Sequence, residues 1–309
     1  MEFALGLTPY SRFPDLPSLQ KTVRLAEKLG FYAVSIGDHV IIPYSHTSTL
    51  NPVWYDPLVL GTAIAVSTER LRILFNTLIV PYHHPMELAK GLSSLDVLSG
   101  GRVIAGLGVG WIKEEFDALG IPFNERGART DEYIRAMKEL WTNPQPSFKG
   151  RFVSFHDIAF EPRPLQKPHL PIWIGGGVHR SLERAAELGN GWHPLGRPWD
   201  KLEGEVAELK RLLAEQGRSM EGFDLSYTLY YASVAKQTQR HATTAGADEA
   251  TVLAGTPKDA LDQIDKYAKL GFTHITIRLR GLRVDELSEA MQRFQQDIIL
   301  PHAARKKPA

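Results

Sequence analysis

The sequence predicts an α/β fold, a (β/α)8 TIM barrel with loop insertions. Short apolar runs alternate with amphipathic helical windows from end to end, and the alternation completes eight times. Three stretches also repeat one helix–glycine–strand junction: Ala26-Glu27-Lys28-Leu29-Gly30-Phe31, Ala186-Glu187-Leu188-Gly189-Asn190 and Ala268-Lys269-Leu270-Gly271-Phe272. Each reads as a helix end capped by glycine before a turn into a strand. A doubly wound open sheet competes with the barrel, but eight units favour closure.

The first strand is Phe3-Ala4-Leu5-Gly6-Leu7. The helix after it opens at Pro17-Ser18 and closes at Gly30, with Leu19, Val23, Ala26 and Leu29 at helical spacing. Ala33-Val34-Ser35-Ile36 is the second strand, followed by a helix over 56–67, and residues 72–80 form the third strand. A helix over 85–98 stops at Gly100-Gly101, and Val103-Ile104-Ala105-Gly106-Leu107 is the fourth strand. The helix over 125–142 places Tyr133, Ile134, Met137, Leu140 and Trp141 on one face. Pro171-Ile172-Trp173-Ile174 is the fifth strand, backed by a helix over 179–189. Trp192-His193-Pro194-Leu195 is the sixth, and the next helix carries Leu202, Val206, Leu209 and Leu213. Residues 225–234 form the seventh strand and His274-Ile275-Thr276-Ile277 the eighth, with helices over 257–270 and 283–297.

Composition narrows the function. The 309 residues hold 36 Lys+Arg against 35 Asp+Glu, a net charge of +1 without the basic face of a nucleic-acid binder. Arg305, Lys306 and Lys307 read as a solvated tail. Without cysteine there are no disulfides, thiolate metal sites or cysteine nucleophiles. No run approaches the roughly 20 apolar residues of a membrane helix, and Met1-Glu2-Phe3 enters a strand without a basic leader. A cytoplasmic protein is expected, with residues 1–309 as one domain. Its insertions fall near 39–56, 143–170 and 237–255.

A barrel keeps its chemistry at the C-terminal ends of the strands. After the second strand stands Gly37-Asp38-His39, either a carboxylate tuning an imidazole or a satisfied loop histidine. The third strand ends near His83-His84-Pro85, where adjacent histidines point apart and read as turn residues rather than metal ligands. After the fourth, Gly108-Val109-Gly110-Trp111 would let a flat ligand approach the backbone, or simply make a tight turn. Gly175-Gly176-Gly177 runs from the fifth strand into a helix, where exposed N–H groups and the helix dipole suit a phosphate. There is no G-x-S-x-G elbow, P-loop or H-E-x-x-H, and no metal site is expected.

Taken together, Gly37-Asp38-His39, Asn76-Thr77, Gly108-Val109-Gly110-Trp111, Gly175-Gly176-Gly177 and Gly191-Trp192 resemble the luciferase-like monooxygenase superfamily. More narrowly, they resemble its branch of coenzyme F420-dependent oxidoreductases. The stretch from Gly101-Arg102 through Glu114-Glu115-Phe116 and Arg126-Gly127-Ala128-Arg129 to Asp131-Glu132 is especially similar. The resemblance implies the bacterial luciferase-like barrel, with the cofactor ring at the mouth and its phosphate on Gly175-Gly176-Gly177. It also implies a non-proline cis peptide within Asn76-Thr77-Leu78 that props the ring.

By the same resemblance, Asp38, Asn76, Thr77, Leu78, Gly108, Val109, Gly110, Trp111 and Trp192 complete the cofactor site. His39 would exchange a proton with a small organic substrate, with Asp38 orienting it or binding the ring edge. Trp54, Tyr55 and His193 would line a pocket suited to an apolar or aromatic substrate. Asp-His after the second strand favours F420 over FMN, because many flavin members carry Glu-His-His there. Trp111 stands where members with a sugar-phosphate substrate place Glu, so that substrate is not expected. A homodimer is implied. The alternatives are an FMN-dependent monooxygenase on the same barrel, a non-catalytic flavin-binding barrel and a metal-dependent barrel hydrolase.

Overall fold

The computed structural model describes residues 1–231, 252–253, 255–279 and 283–305. Its strands and helices follow the alternation: β1 (Glu2–Gly6), α1 (Leu16–Lys28), β2 (Ala33–Ile36), α2 (Pro57–Ser67), β3 (Arg72–Ile79), α3 (Pro85–Ser99) and β4 (Val103–Gly108). After α4 (Lys113–Ala118) and α5 (Arg126–Thr142) comes a hairpin of β5 (Phe148–Lys149) and β6 (Ser154–Phe155) inside the 143–170 insertion. Then follow β7 (Ile172–Gly175), α6 (His179–Leu188), β8 (Gly191–His193), α7 (Trp199–Glu215) and β9 (Asp224–Tyr231). The last elements are β10 (Val252–Leu253), α8 (Pro257–Leu270), β11 (His274–Leu279), α9 (Val284–Phe294) and α10 (Leu300–Arg305). Among the described residues, eight parallel strands close in the order β1-β2-β3-β4-β7-β8-β9-β11, and β11 returns to β1. The sixth strand lies one residue earlier than the sequence suggests. Most of the irregular stretch expected over 237–255 lies outside the described residues.

Local chemistry explains the helices that carry this ring. Asp15 caps α1, accepting the Ser18 N–H at 2.9 Å, and Leu19, Val23 and Ala26 turn inward. Thr256 and Asp259 form a reciprocal capping box on α8. Gly30 and Gly271 take the left-handed conformation expected at a helix end, with φ of +82° and +100°. Gly189, the third glycine of the repeat, does not: its φ is −94°. It makes room instead, since a side chain there would crowd the carbonyls of Ala185 and Gly191.

Two cores divide the barrel. Outward residues such as Val34, Phe75, Leu107, Ile174 and Ile277 pack beneath the helices. Inside, Ala4, Ala33, Leu74, Ile104 and Trp173 form a small apolar plug. Because strand side chains alternate, the inward positions towards the C-terminal end are Ser35 of β2, Asn76 of β3, Ser226 and Thr228 of β9, and Thr276 and Arg278 of β11. The closed end is apolar and the C-terminal end polar, which places the chemistry at that end.

Candidate active site

The β2 end carries two adjacent residues whose side chains part company. Asp38 is buried and turns to β3, where Oδ2 accepts the Ile79 N–H at 2.9 Å and lies 2.7 Å from Nε2 of His83. Burial works against a charged His83, but the hydrogen bond and charge of Asp38 outweigh it and raise the imidazole's pKa. His83 is therefore the partner of Asp38 rather than a plain turn residue. Asp38 does not orient His39, because alternation along the backbone sends the two side chains to different neighbours.

His39 has another partner, Glu115 of α4. Its Nδ1 lies 2.8 Å from Oε2 of this fully buried carboxylate. Glu115 Oε1 accepts the N–H groups of Val40 and Ile41 at 2.7 and 3.2 Å, while Tyr82 donates its O–H to Oε2 at 2.9 Å. Burial alone would raise the Glu115 pKa; its bonds to His39, Val40 and Tyr82 bring it below the ordinary value. Burial and Glu115 together raise the Tyr82 pKa, so its phenol remains a donor. An ionised carboxylate only accepts, so His39 presents Nδ1–H to it and keeps Nε2 for a reactant. Trp54 packs edge-on against His39 at 4.6 Å and against Tyr10 at 5.2 Å, bringing the 39–56 insertion down over this end. Tyr55 lies beside it, its O–H donating to the Phe13 carbonyl at 2.6 Å.

At the centre of β3 the Asn76–Thr77 peptide is cis, within the expected three residues. The pairing of β3 with β4 shifts register between Phe75 and Leu78, and both Asn76 and Thr77 face inward. Asn76 Nδ2 lies 3.1 Å from Nε2 of His193. His193 also bonds Ser226 at 3.0 Å and Thr228 at 3.1 Å. Burial, helped by the charge of Arg278, takes the His193 pKa down to about 3, so the ring is neutral. The Leu78 side chain, by contrast, turns out into the shell core.

The space at Gly108 and Gly175 is filled by Thr77, whose atoms lie 2.5 Å from where each Cβ would stand. Gly110 is left-handed, at φ +78°, and crowded by Ile79 and Phe116. These glycines make room for the side chains of Thr77, Ile79 and Phe116. Val109 is partly buried beside them, and Trp111 is 57% exposed, edge-on to His46.

The Gly175–Gly177 loop meets the N-terminus of α6 as expected. The Gly176 N–H donates to the His193 carbonyl at 3.1 Å. Gly177 lies against Arg197, whose side chain occupies the place a Cβ would take. Arg197 pairs with Glu205, Nε to Oε1 at 2.7 Å. Trp192 belongs under this loop, not in the mouth: alternation along β8 turns its indole outward into the core, where it donates to the Gly176 carbonyl at 2.9 Å. Backbone N–H groups, the α6 dipole and the Arg197 cation form a donor set that fits a phosphate. Deeper in the site, Asp38 Oδ1 and Asn76 Oδ1 are buried without a hydrogen-bond partner among the described residues, free acceptors for a ring edge.

Sequence reading missed Glu115 and Tyr82. Two acids in the first turn of a helix look like ordinary dipole partners, and the β3 end does not announce which carboxylate it will meet. A shallow cleft of about 410 Å³ beside the hairpin, lined by Asp131, Glu132, Arg135 and 148–152, contains none of these residues. Its acids are already committed, Asp131 to Arg180 and Arg184, and Glu132 to backbone N–H groups of 151–153. Among the described residues, no His/Asp/Glu cluster could hold a metal, and no helix is long and apolar enough to cross a membrane.

Residues 2–244 match the luciferase-like monooxygenase family. An FMNH2-dependent dimethylsulfone monooxygenase of Pseudomonas putida is 29% identical over 211 residues, which cover 67% of this chain and 56% of that protein. The chain thus spans little more than half the length of that relative. An uncharacterized protein of Mycobacterium tuberculosis is 35% identical over 209 residues, 63% of this chain and 73% of that one. Among solved structures, a monooxygenase from Streptomyces bottropensis superposes with a TM-score of 0.81 at 25% identity, covering 98% of this chain and 100% of its own. The coenzyme F420-dependent tetrahydromethanopterin reductase of Methanopyrus kandleri shares the fold, with a TM-score of 0.76 at 20% identity over 97% of this chain and 99% of its own. The chain therefore belongs to the luciferase-like monooxygenase family.

Proposed function

We propose that the enzyme is an F420-dependent oxidoreductase that exchanges a hydride and a proton with a small organic substrate. The observation that carries this reading is the His39–Glu115 pair, 2.8 Å apart. It gives the site one imidazole of defined tautomer, as proton exchange coupled to hydride transfer needs. The deazaflavin, when bound, supplies or accepts the hydride.

The chain's own residues do the rest. His39 gives or takes the substrate proton at Nε2, and Glu115 holds the ring by accepting its Nδ1–H. Asp38, anchored by His83 and the Ile79 N–H, keeps Oδ1 for the ring edge, and Asn76 offers Oδ1 in the same way. The Gly175–Gly177 loop, the α6 N-terminus and Arg197 would hold the phosphate. Trp54 and Tyr55 shield the reacting atoms from water, and a homodimer is the expected assembly.

The FMN-dependent monooxygenase is the second reading, favoured by the relative from Pseudomonas putida. Titration of the apoprotein with F420 and, separately, with FMN decides between them through tryptophan and cofactor fluorescence. Tight F420 binding with FMN ignored supports hydride transfer. Preference for FMN moves the enzyme to the oxygen-using branch, and binding of neither overturns both readings.

A further inference from the structure

Inward positions of β11 alternate with apolar outward ones: His274, Thr276 and Arg278 against Ile275, Ile277 and Leu279. Arg278 is the last of them, level with Tyr230 on β9 and beside Gly6 on β1. It is accommodated there because residue 6 lacks a side chain: a Cβ on Gly6 would lie 3.1 Å from Arg278 Cγ. The guanidinium is thus built into the wall at the polar end of the barrel.

Among the described residues no carboxylate answers it. Among the described residues Arg278 forms no ion pair, and its hydrogen bond is Nη1 to the Tyr230 hydroxyl at 3.2 Å. Most of the five N–H donors of this half-buried cation are uncommitted among the described residues. Of the two acids described at this end, Glu115 is engaged by His39, Tyr82 and two backbone N–H groups, and Asp38 pairs with His83 through Oδ2, which leaves only its Oδ1 open. Nearby, the Thr276 hydroxyl is buried without a hydrogen-bond partner among the described residues. The charge of Arg278 reaches both His193 and Tyr10, so it lies among the groups of the site. Arg12, in the β1–α1 connection at the same end, is a second cation that has no ion pair among the described residues, where its buried Nε and Nη1 also meet no acceptor. A cation held out of water is normally matched by an anion, and the planar guanidinium fork suits carboxylate, sulfonate or phosphate.

The geometry points to Arg278 as the receptor for an anionic group on the substrate, so that the molecule turned over has an apolar or aromatic body and one carboxylate, sulfonate or phosphate. This rests on the oxidoreductase reading for the reaction, but the anion site is testable without turnover. The same fork could serve an anionic part of the cofactor, and the experiment separates the two.

Binding of benzoate, benzenesulfonate and phenyl phosphate, with benzamide and benzyl alcohol as neutral counterparts, is measured by tryptophan fluorescence. The proteins are the wild type, Arg278→Gln and Arg278→Lys, each checked for folding by thermal melting; F420 and FMN are titrated alongside. We expect at least one anionic probe to bind the wild type about tenfold or more tightly than its neutral counterpart. Arg278→Gln should lose that preference, Arg278→Lys should retain part of it, and cofactor affinity should stay within about twofold. Equal binding of anionic and neutral probes, or anion binding unaffected by Arg278→Gln, overturns the assignment. So does loss of cofactor affinity in Arg278→Gln, which would give the arginine to the cofactor. Anion selectivity that depends on Arg278, in a protein binding neither F420 nor FMN, would uphold the anion site and sink only the oxidoreductase reading.

Discussion

Glu115 and His39 are 76 positions apart in the chain, yet the carboxylate Oε2 stands 2.8 Å from the imidazole Nδ1. The partner of His39 is thus a buried acid from α4, not the aspartate that precedes it. Glu115→Gln would put an amide among donors that need an acceptor, and can turn His39 to its other tautomer. Turnover should fall about 10²-fold in Glu115→Gln and at least as far in His39→Ala, with cofactor affinity little changed. Steady-state kinetics beside cofactor titration checks this; full turnover by His39→Ala would remove the imidazole from the mechanism.

Arg197 lies against Gly177, where the phosphate is proposed to sit. Arg197→Gln should raise the cofactor dissociation constant about tenfold, equivalent to about 1.4 kcal/mol. Glu205→Gln removes the acid that competes for the same guanidinium, and should leave binding unchanged or tighten it. Weakening in both variants alike would point to general damage to the loop instead of charge at the phosphate.

The Asp38–His83 pair carries a pH signature. His83 has a raised folded-state pKa, against about 6.5 for an unperturbed histidine. Its contribution to stability is therefore fully present below about pH 6.5 and disappears as pH rises through the folded-state value. The gap in urea midpoint between wild type and His83→Gln should be largest near pH 6 and shrink towards pH 9. A gap independent of pH would mean that the pair is not ionic.

His193 behaves in the opposite sense. Its folded pKa of about 3 lies below the unfolded value, so the unfolded chain gains a proton that the folded chain refuses. Stability should fall as pH drops from about 6.5, by up to about 1.4 kcal/mol per pH unit for this group. His274, lowered by burial to about 4, adds to the same trend. Urea unfolding between pH 4.5 and 7 should show a shallower acid loss in His193→Gln than in wild type, and identical slopes would argue against a buried neutral ring.

Much of the barrel is legible in one dimension because its periodicities are local. Leu19, Val23 and Ala26 mark the buried face of α1 by spacing alone, and the Gly175–Gly177 turn before α6 follows from composition and order. The β11 alternation of His274, Thr276 and Arg278 was equally available, since polar residues at every second place in an apolar strand face the inside of a closed sheet. The short α4 was not, because its six residues have too little periodicity to register.

The sequence by itself determined the eight-unit alternation, the helix caps, the loops that would gather at one end and the family resemblance, since each depends on neighbours within a few residues. Only the tertiary structure decided the partners. Strand pairing brought Asp38 to His83, α4 brought Glu115 to His39, and barrel closure set Asn76 against His193 and left Arg278 without a carboxylate among the described residues. A carboxylate's partner depends on distance and burial in the closed barrel, and chain order states neither. For the same reason the packing at Gly108 and Gly175 is not written in chain order: the side chain that fills their space, Thr77, comes from another strand.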